Sequence, residues 1–198
     1  ILDNSVFLKE RVESKYGFYF LKGREKIVAV RQERYSLAER KYHRALKFIR
    51  FLRFIPFIKM IAVCNTLAYN NSRQQADIDL FIIITKKRVW QARFWVTGIL
   101  KLLGQRPVAD RTQDKLCPSF FIDEDNLNIQ NLALENDIYL PYWIAQVFPI
   151  YDQGVYDKFI DANDWVREKL TNFINIQPSA RRKIKKAGFL KLLLSILC

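Results

Sequence analysis

With 198 residues, half of them apolar and 14% aromatic, the chain can bury a core of ordinary size, and disorder along its whole length is excluded. Three scattered cysteines (Cys64, Cys117, Cys198) and one histidine, His43, exclude a disulfide scaffold and a histidine-rich metal site, so a reducing, cytoplasmic compartment is expected. The formal net charge of +13 asks for an anionic partner or a heavily solvated surface.

In chain order, Asn4–Lys15 reads as a short helix. Gly17 and Gly23 bracket Phe18–Leu21, a strand or turn, and Ile27–Val30 either pairs with it or begins the next helix. From Arg31 to Phe54 the pattern is helical: Ala38, Tyr42, Ala45, Ile49 and Leu52 form a packing stripe, while Arg40, Arg44 and Lys47 line another face. Pro56 closes this element. Phe57–Val63 is a strand candidate, and polar Asn65–Gln75 is a loop or a short helix start. Ile78–Thr85 is an almost unbroken β-rich run, the mark of a strand buried on both faces. Val89–Leu103 is an apolar helix ending at Gly104; Lys115–Ile122 is an edge or bulged strand, because Pro118 cannot donate to a ladder. After an acidic turn at Asp123–Asn128, Tyr139–Val147, Val155–Ile174 and basic Arg181–Leu197 read as helices. Trp90, Trp95, Trp143 and Trp165 fall on helices and read as core. No stretch reaches the ~20 apolar residues of a spanning helix, so no transmembrane span is expected. No secretory signal opens the chain, which starts at Ile1 as a fragment or processed chain would. Three regions result: a basic helical and hairpin region over 1–55, a domain over 56–150, and C-terminal helices with a basic tail over 151–198.

The excess charge is confined to two segments. Arg31–Lys59 carries nine Lys or Arg against Glu33 and Glu39, and Pro178–Cys198 carries six bases and no acid, while the remaining charges cancel. Such segregation suits a nucleic acid, RNA foremost, with an acidic protein or an anionic membrane surface as the other partners of the same sign. Arg40, Arg44, Lys47, Arg181, Arg182 and Lys185 are the expected phosphate contacts. Two solvated helix faces are the plain alternative.

The chemistry concentrates at Asp77-Ile78-Asp79. Residues two apart on a strand share a side, so the two carboxylates stand together, about 7 Å apart at the backbone. They repel each other unless a cation lies between them. Hard oxygen ligands suit Mg²⁺, and two such ions about 4 Å apart can clamp a phosphoryl displacement. Cys64, near this segment but without a histidine partner in sequence, reads as a buried thiol.

The segment Ile61–Thr85 resembles the signature of the DNA polymerase β-like nucleotidyltransferase superfamily: a strand, a Gly-Ser pair opening a helix, then Asp-x-Asp entering a second strand. Ten residues separate Thr66 from Asp77, within the family range. The resemblance extends from about Gly17 to Val166 and includes Phe20–Arg24, Asp114–Asp125 and Tyr142–Asp152. It implies an α/β fold with a mixed sheet flanked by helices. It also implies transfer of a nucleoside monophosphate from a nucleoside triphosphate such as ATP, with Asp77 and Asp79 holding Mg²⁺. A third carboxylate is implied on a later strand; Asp114 is the best match and Asp123 the runner-up, a strand-capping turn being the other reading of Asp114. The chain departs from the family where Asn65-Thr66 replaces Gly-Ser, and where Asn replaces a second glycine near Tyr69–Asn71. Asn tolerates a left-handed backbone and Thr keeps the hydroxyl, so both remain expected to cradle the triphosphate. Arg88 and Arg93 are further candidates for phosphate oxygens, against a solvated helix face. Two functions are therefore carried forward: a Mg²⁺-dependent nucleotidyltransferase, and a catalytically silent module of that fold that binds nucleic acid or serves in a larger assembly.

Overall fold

A computed structural model describes residues 5–185. Ser5 caps the single-turn helix α1 (Val6–Lys9), after which β1 (Val12–Lys15) and β2 (Phe18–Leu21) pair as a hairpin. The turn residues Tyr16 and Gly17 have φ of +52° and +79°, the left-handed pair that a two-residue hairpin turn demands. Residues 5–15 are therefore not the continuous helix expected from their composition, because cross-strand bonds outweigh helix propensity; Asn4 lies outside the described residues. Ile27–Val30 belongs to the next helix, α2 (Lys26–Leu52), whose buried stripe includes Ala38, Tyr42, Ala45, Ile49 and Leu52 as expected.

Next come β3 (Ile58–Val63), the single turn α3 (Asn65–Ala68), β4 (Ile78–Ile84), α4 (Val89–Leu102), β5 (Leu116–Asp123), α5 (Tyr139–Gln146), β6 (Phe148–Asp152), α6 (Tyr156–Ala162) and α7 (Val166–Lys169). The main sheet has the order β5-β4-β3-β6. β4 and β5 are parallel across the α4 crossover; the other two pairings are antiparallel. The result is the expected mixed α/β class with helices flanking a mixed sheet.

β4 is central and buried on both faces, so it reads as a continuous apolar run rather than as an alternation. Ile78, Leu80, Ile82 and Ile84 join α2 and α4 in one cluster, whereas Phe81 and Ile83 face α5 and α6 in the other. The basic N-terminal helix thus shares a core with the sheet. β5 is the expected edge strand, with its register shifted beside Pro118. β6 was not legible as a strand, being five residues directly after a helix.

Two further elements differ from expectation. The segment Val155–Ile174 is not one helix but two short ones separated at Asn163. The Asn163 side chain is buried; it accepts from the Ile129 N–H and donates to the carbonyls of Leu127 and Phe159, tying the helix end to the loop after β5. The described part of Arg181–Leu197 is a 3-10 turn over Ala180–Arg182 followed by a bridge from Ile184 to Tyr151, and residues 186–198 lie outside the described residues. Trp90 and Trp95 are exposed on α4 rather than in the core, because the inward face of that helix is Ala92, Val96 and Leu100. Among the described residues no helix is long and apolar enough to cross a membrane.

Phe81 stands at the centre of a ring cluster with Phe120, Trp143 and Phe159, at centroid distances of 5.1–5.6 Å. Phe81→Ala should destabilise the protein by about 3–5 kcal/mol, read from the denaturant midpoint.

Candidate metal centre

The strand topology brings the site together. β3 ends at Val63, and Cys64 leads into α3 with its N–H donating to the Asp79 carbonyl at 3.1 Å. Asn65 adopts φ +55° and Asn70 φ +56°, so asparagine occupies a left-handed conformation at two places where glycine was expected from the family pattern. The side chain of Asn65 is not idle. Its Nδ2 donates to Asp79 Oδ2 at 2.8 Å, and its Oδ1 accepts from the Tyr139 hydroxyl at 2.8 Å. Tyr139 is placed by the start of α5, where Asp137 accepts the N–H groups of Tyr139 and Leu140; these backbone donors hold the Asp137 carboxyl below its ordinary range.

Across the sheet, the parallel register sets Cys117 opposite Asp79. Asp77, Asp79 and Cys117 form a half-buried group whose ligand atoms lie within 4.8 Å of one another, a cluster able to hold a metal ion. Ser119 donates to Asp79 Oδ1 at 2.6 Å, so both Asp79 oxygens accept a hydrogen bond. Burial, then the charge of Asp79, pushes the Asp77 carboxyl above its ordinary value, while Cys117 and the Lys41 charge act the other way. Burial also raises the thiols of Cys64 and Cys117, so each favours its neutral form. Cys64 is the buried thiol expected from sequence.

Asp114 is not part of this group. It lies on the turn before β5 with φ +58°, and its carboxylate pairs with Lys41 at 2.9 Å and Arg40 at 3.2 Å. Lys41 is fully buried and also donates to the carbonyls of Gln74 and Ala76, immediately before Asp77. Asp123, at the far end of β5, accepts from Asn126 and from the Lys87 N–H, as a turn residue does. No acid of β5 therefore faces the Asp pair.

The expected phosphate contacts scatter. Arg88 and Arg93 sit at the opposite end of β4, over the rings of Phe57 and Phe121. Arg40 is held by Asp114, and Arg44 donates to Gln105 at 2.6 Å. Arg182 is turned inward, 7% exposed, stacked 3.9 Å from the Tyr42 ring and paired with Glu39. These three are bonded within the fold; Arg181, though exposed, also pairs with Glu39 at 3.5 Å, and Lys47 and Lys185 are exposed. Thr66 is half-buried beside the cluster, with its carbonyl accepting the Asn71 N–H.

Lys41, Cys117, Ser119 and Tyr139 were not read from sequence as site residues. For Cys117 and Ser119 the only usable signal was a parallel β4–β5 register, and Lys41 was hidden in a basic run. A pocket of about 260 Å³, lined by Cys64, Asn65, Ser119, Phe120, Tyr139 and Trp143, opens beside Asp79. The chain matches no protein-family model and no curated protein.

Two outcomes follow from this geometry. Asp114→Ala leaves buried Lys41 with carbonyl partners only and should cost about 2–4 kcal/mol in urea unfolding. The raised Asp77 carboxyl means that folding favours its protonated form. In metal-free buffer, wild type should therefore lose stability relative to Asp77→Asn as pH rises through the carboxylate range. The two should converge below the ordinary carboxylate value, as melting curves across pH would show.

Proposed function

We propose that the protein is a nucleotidyltransferase of the DNA polymerase β-like type, moving a nucleoside monophosphate from a nucleoside triphosphate to an acceptor hydroxyl. The observation that carries this reading is the placement of Asp77 and Asp79 on one side of β4 as it enters the sheet, beside left-handed Asn65 at the head of α3. The two carboxylates fit Mg²⁺ through their oxygens, and a cation between them relieves the repulsion from Asp79 that, after burial, raises the Asp77 carboxyl. When bound, such an ion supplies charge stabilisation to the transferring phosphoryl group. Asn65 and Ser119 each donate to one Asp79 oxygen. Phe120, Tyr139 and Trp143 offer aromatic surface in the adjoining pocket, and ring surfaces of this kind stack nucleobases. α3 is a single turn and has little macrodipole, so Asn65 and Thr66 contribute shape and hydrogen bonding at this position rather than charge.

One observation favours a second reading. Cys117 occupies the β5 position opposite Asp79 where a third carboxylate would stand, and Asp114 is engaged by α2. On that reading the chain is a catalytically silent module of the same fold, binding nucleic acid or serving as a subunit of a larger assembly. RNA remains the first acceptor or partner to test, through exposed Lys47, Arg181 and Lys185.

The deciding experiment incubates the protein with labelled nucleoside triphosphates, Mg²⁺ and total RNA or protein. Transferase activity predicts a labelled acceptor, lost in Asp77→Asn and Asp79→Asn. Metal-dependent nucleotide binding without labelling selects the silent module. Calorimetry giving equal nucleotide affinity for wild type and both variants removes the site from either account. Asn65→Gly keeps the left-handed backbone, removes the side chain that occupies Asp79, and should strengthen metal binding in the same calorimetry.

A further inference from the structure

A second pocket, of about 410 Å³, lies at the connection from α4 to β5. Its lining includes Thr97, Lys101, Arg106, Arg111 and Lys115, and no acidic side chain. Its volume falls in the range of small-molecule sites, about 300–1,000 Å³. Four cations around one cavity repel one another unless an anion joins them.

Their lack of acidic partners is the informative feature. Elsewhere in the fold, Lys41 and Arg40 meet Asp114, and Arg182 meets Glu39. Among the described residues, none of the four pocket cations is in an ion pair, and Asp110, in the same connection, does not line the cavity. Two of them are nonetheless held in place. Arg106 donates to Thr97 Oγ1 at 3.3 Å, and Lys115 Nζ donates to the Gly104 carbonyl at 2.5 Å. Arg111 is fixed at its backbone by the bridge to Val108. Cations do gather near helix C-termini, where carbonyls point outward, and Lys115 serves the end of α4 in that way. That accounts for Lys115 and for Lys101, in the last turn of α4, and not for Arg106 and Arg111 on the same cavity.

The pocket also has an address. Lys115 precedes Cys117 by two residues, and the Arg106 charge reaches the Cys117 thiol, opposing its upward shift. The cavity therefore lies by the start of β5, at the same end of the strand as Cys117, while the aromatic pocket adjoins Asn65 and Ser119.

We propose that this cavity is a binding site for two or more linked phosphates, the diphosphate or triphosphate part of a nucleotide or a free polyphosphate. Guanidinium groups pair with phosphate oxygens two at a time, and the two lysines add point charges. One phosphate has too little charge to balance four cations, whereas a linked pair or triple has enough. The site stands on its own cations and does not depend on the reading of Asp77 and Asp79.

The test is calorimetry of the whole chain in EDTA at low salt. The titrants are orthophosphate, pyrophosphate, tripolyphosphate, ATP and a short single-stranded RNA. The proteins are wild type, Arg106→Gln/Arg111→Gln, Lys101→Gln and Asp79→Asn. Saturable binding of pyrophosphate and tripolyphosphate, tighter than orthophosphate, is expected. It should weaken at least tenfold in the double variant, and less in Lys101→Gln. Asp79→Asn should not weaken it, which separates this site from the metal cluster. ATP binding as tightly as tripolyphosphate identifies a nucleotide tail as the ligand, and clearly weaker ATP identifies a free polyphosphate; each supports the proposal. Lys101, Arg106 and Arg111 are exposed and Asp79→Asn keeps the side-chain shape, so the fold should survive, and an unchanged melting temperature checks this. Absence of saturable polyphosphate binding overturns the proposal. So does equal affinity in the double variant, and so does binding of RNA with none of the small polyphosphates.

Discussion

Helix α2 turns much of its positive charge inward, and the geometry of the site depends on that. Arg31 donates to the carbonyls of Tyr69 and Asn70, and Arg34 to Asn71. Arg40 and Lys41 hold Asp114, Lys41 also holds the carbonyls of Gln74 and Ala76, and Arg44 holds Gln105. The partners fall on two connections, residues 69–76 and 105–114. These are the segments that deliver the chain into β4 and β5, where Asp77, Asp79 and Cys117 meet. A helix that could have been a polyanion-binding surface is in large part a clamp.

The clamp is demanding because Lys41 is fully buried. An ammonium group withdrawn from water has to recover its hydration from fixed partners, and here it finds one carboxylate and two carbonyls. Those partners constrain the path of the chain just before Asp77. Asp114 is consumed in this role, and its left-handed backbone marks how tightly the turn before β5 is drawn. The carboxylate nearest to the cluster in sequence is thus spent on holding the frame of the cluster, and a thiol stands at the position across from Asp79.

Charge is arranged around the cluster in an ordered way. An aromatic pocket adjoins it through Asn65 and Ser119, and a cationic pocket lies by the start of β5. Arg31, Arg34, Arg40, Lys41 and Arg44 of α2, with Arg182, are paired or hydrogen-bonded within the fold, while Lys101, Arg106, Arg111 and Lys115 have no carboxylate partner among the described residues. Segment sums of charge do not show this division, because Arg106, Arg111 and Lys115 lie in a stretch whose acids and bases cancel over the wider chain.

The sequence by itself determined the elements whose signals are local. The stripe from Ala38 to Leu52 fixed α2, the unbroken apolar run fixed β4 as a doubly buried strand, and Pro118 fixed β5 as a bulged edge. Asp77 and Asp79 were legible as neighbours because two-residue spacing on a strand guarantees a shared side. At Asn65 the sequence showed a residue that tolerates a left-handed backbone, and the structure places it there. Phe18–Leu21 was legible as a strand or turn, but its partner strand Val12–Lys15 and the break at Asn163 escaped, since the first is decided by cross-strand bonds and the second by a buried side chain reaching Leu127 and Ile129. Which residue stands across from Asp79 was decided only by the parallel register of β4 on β5, and that register depends on the α4 crossover and the bulge at Pro118. Where each positive charge goes was likewise a tertiary decision. A side chain of four or five rotatable bonds carries the same charge wherever it points, and only packing settles whether a carboxylate, a carbonyl or an open cavity receives it.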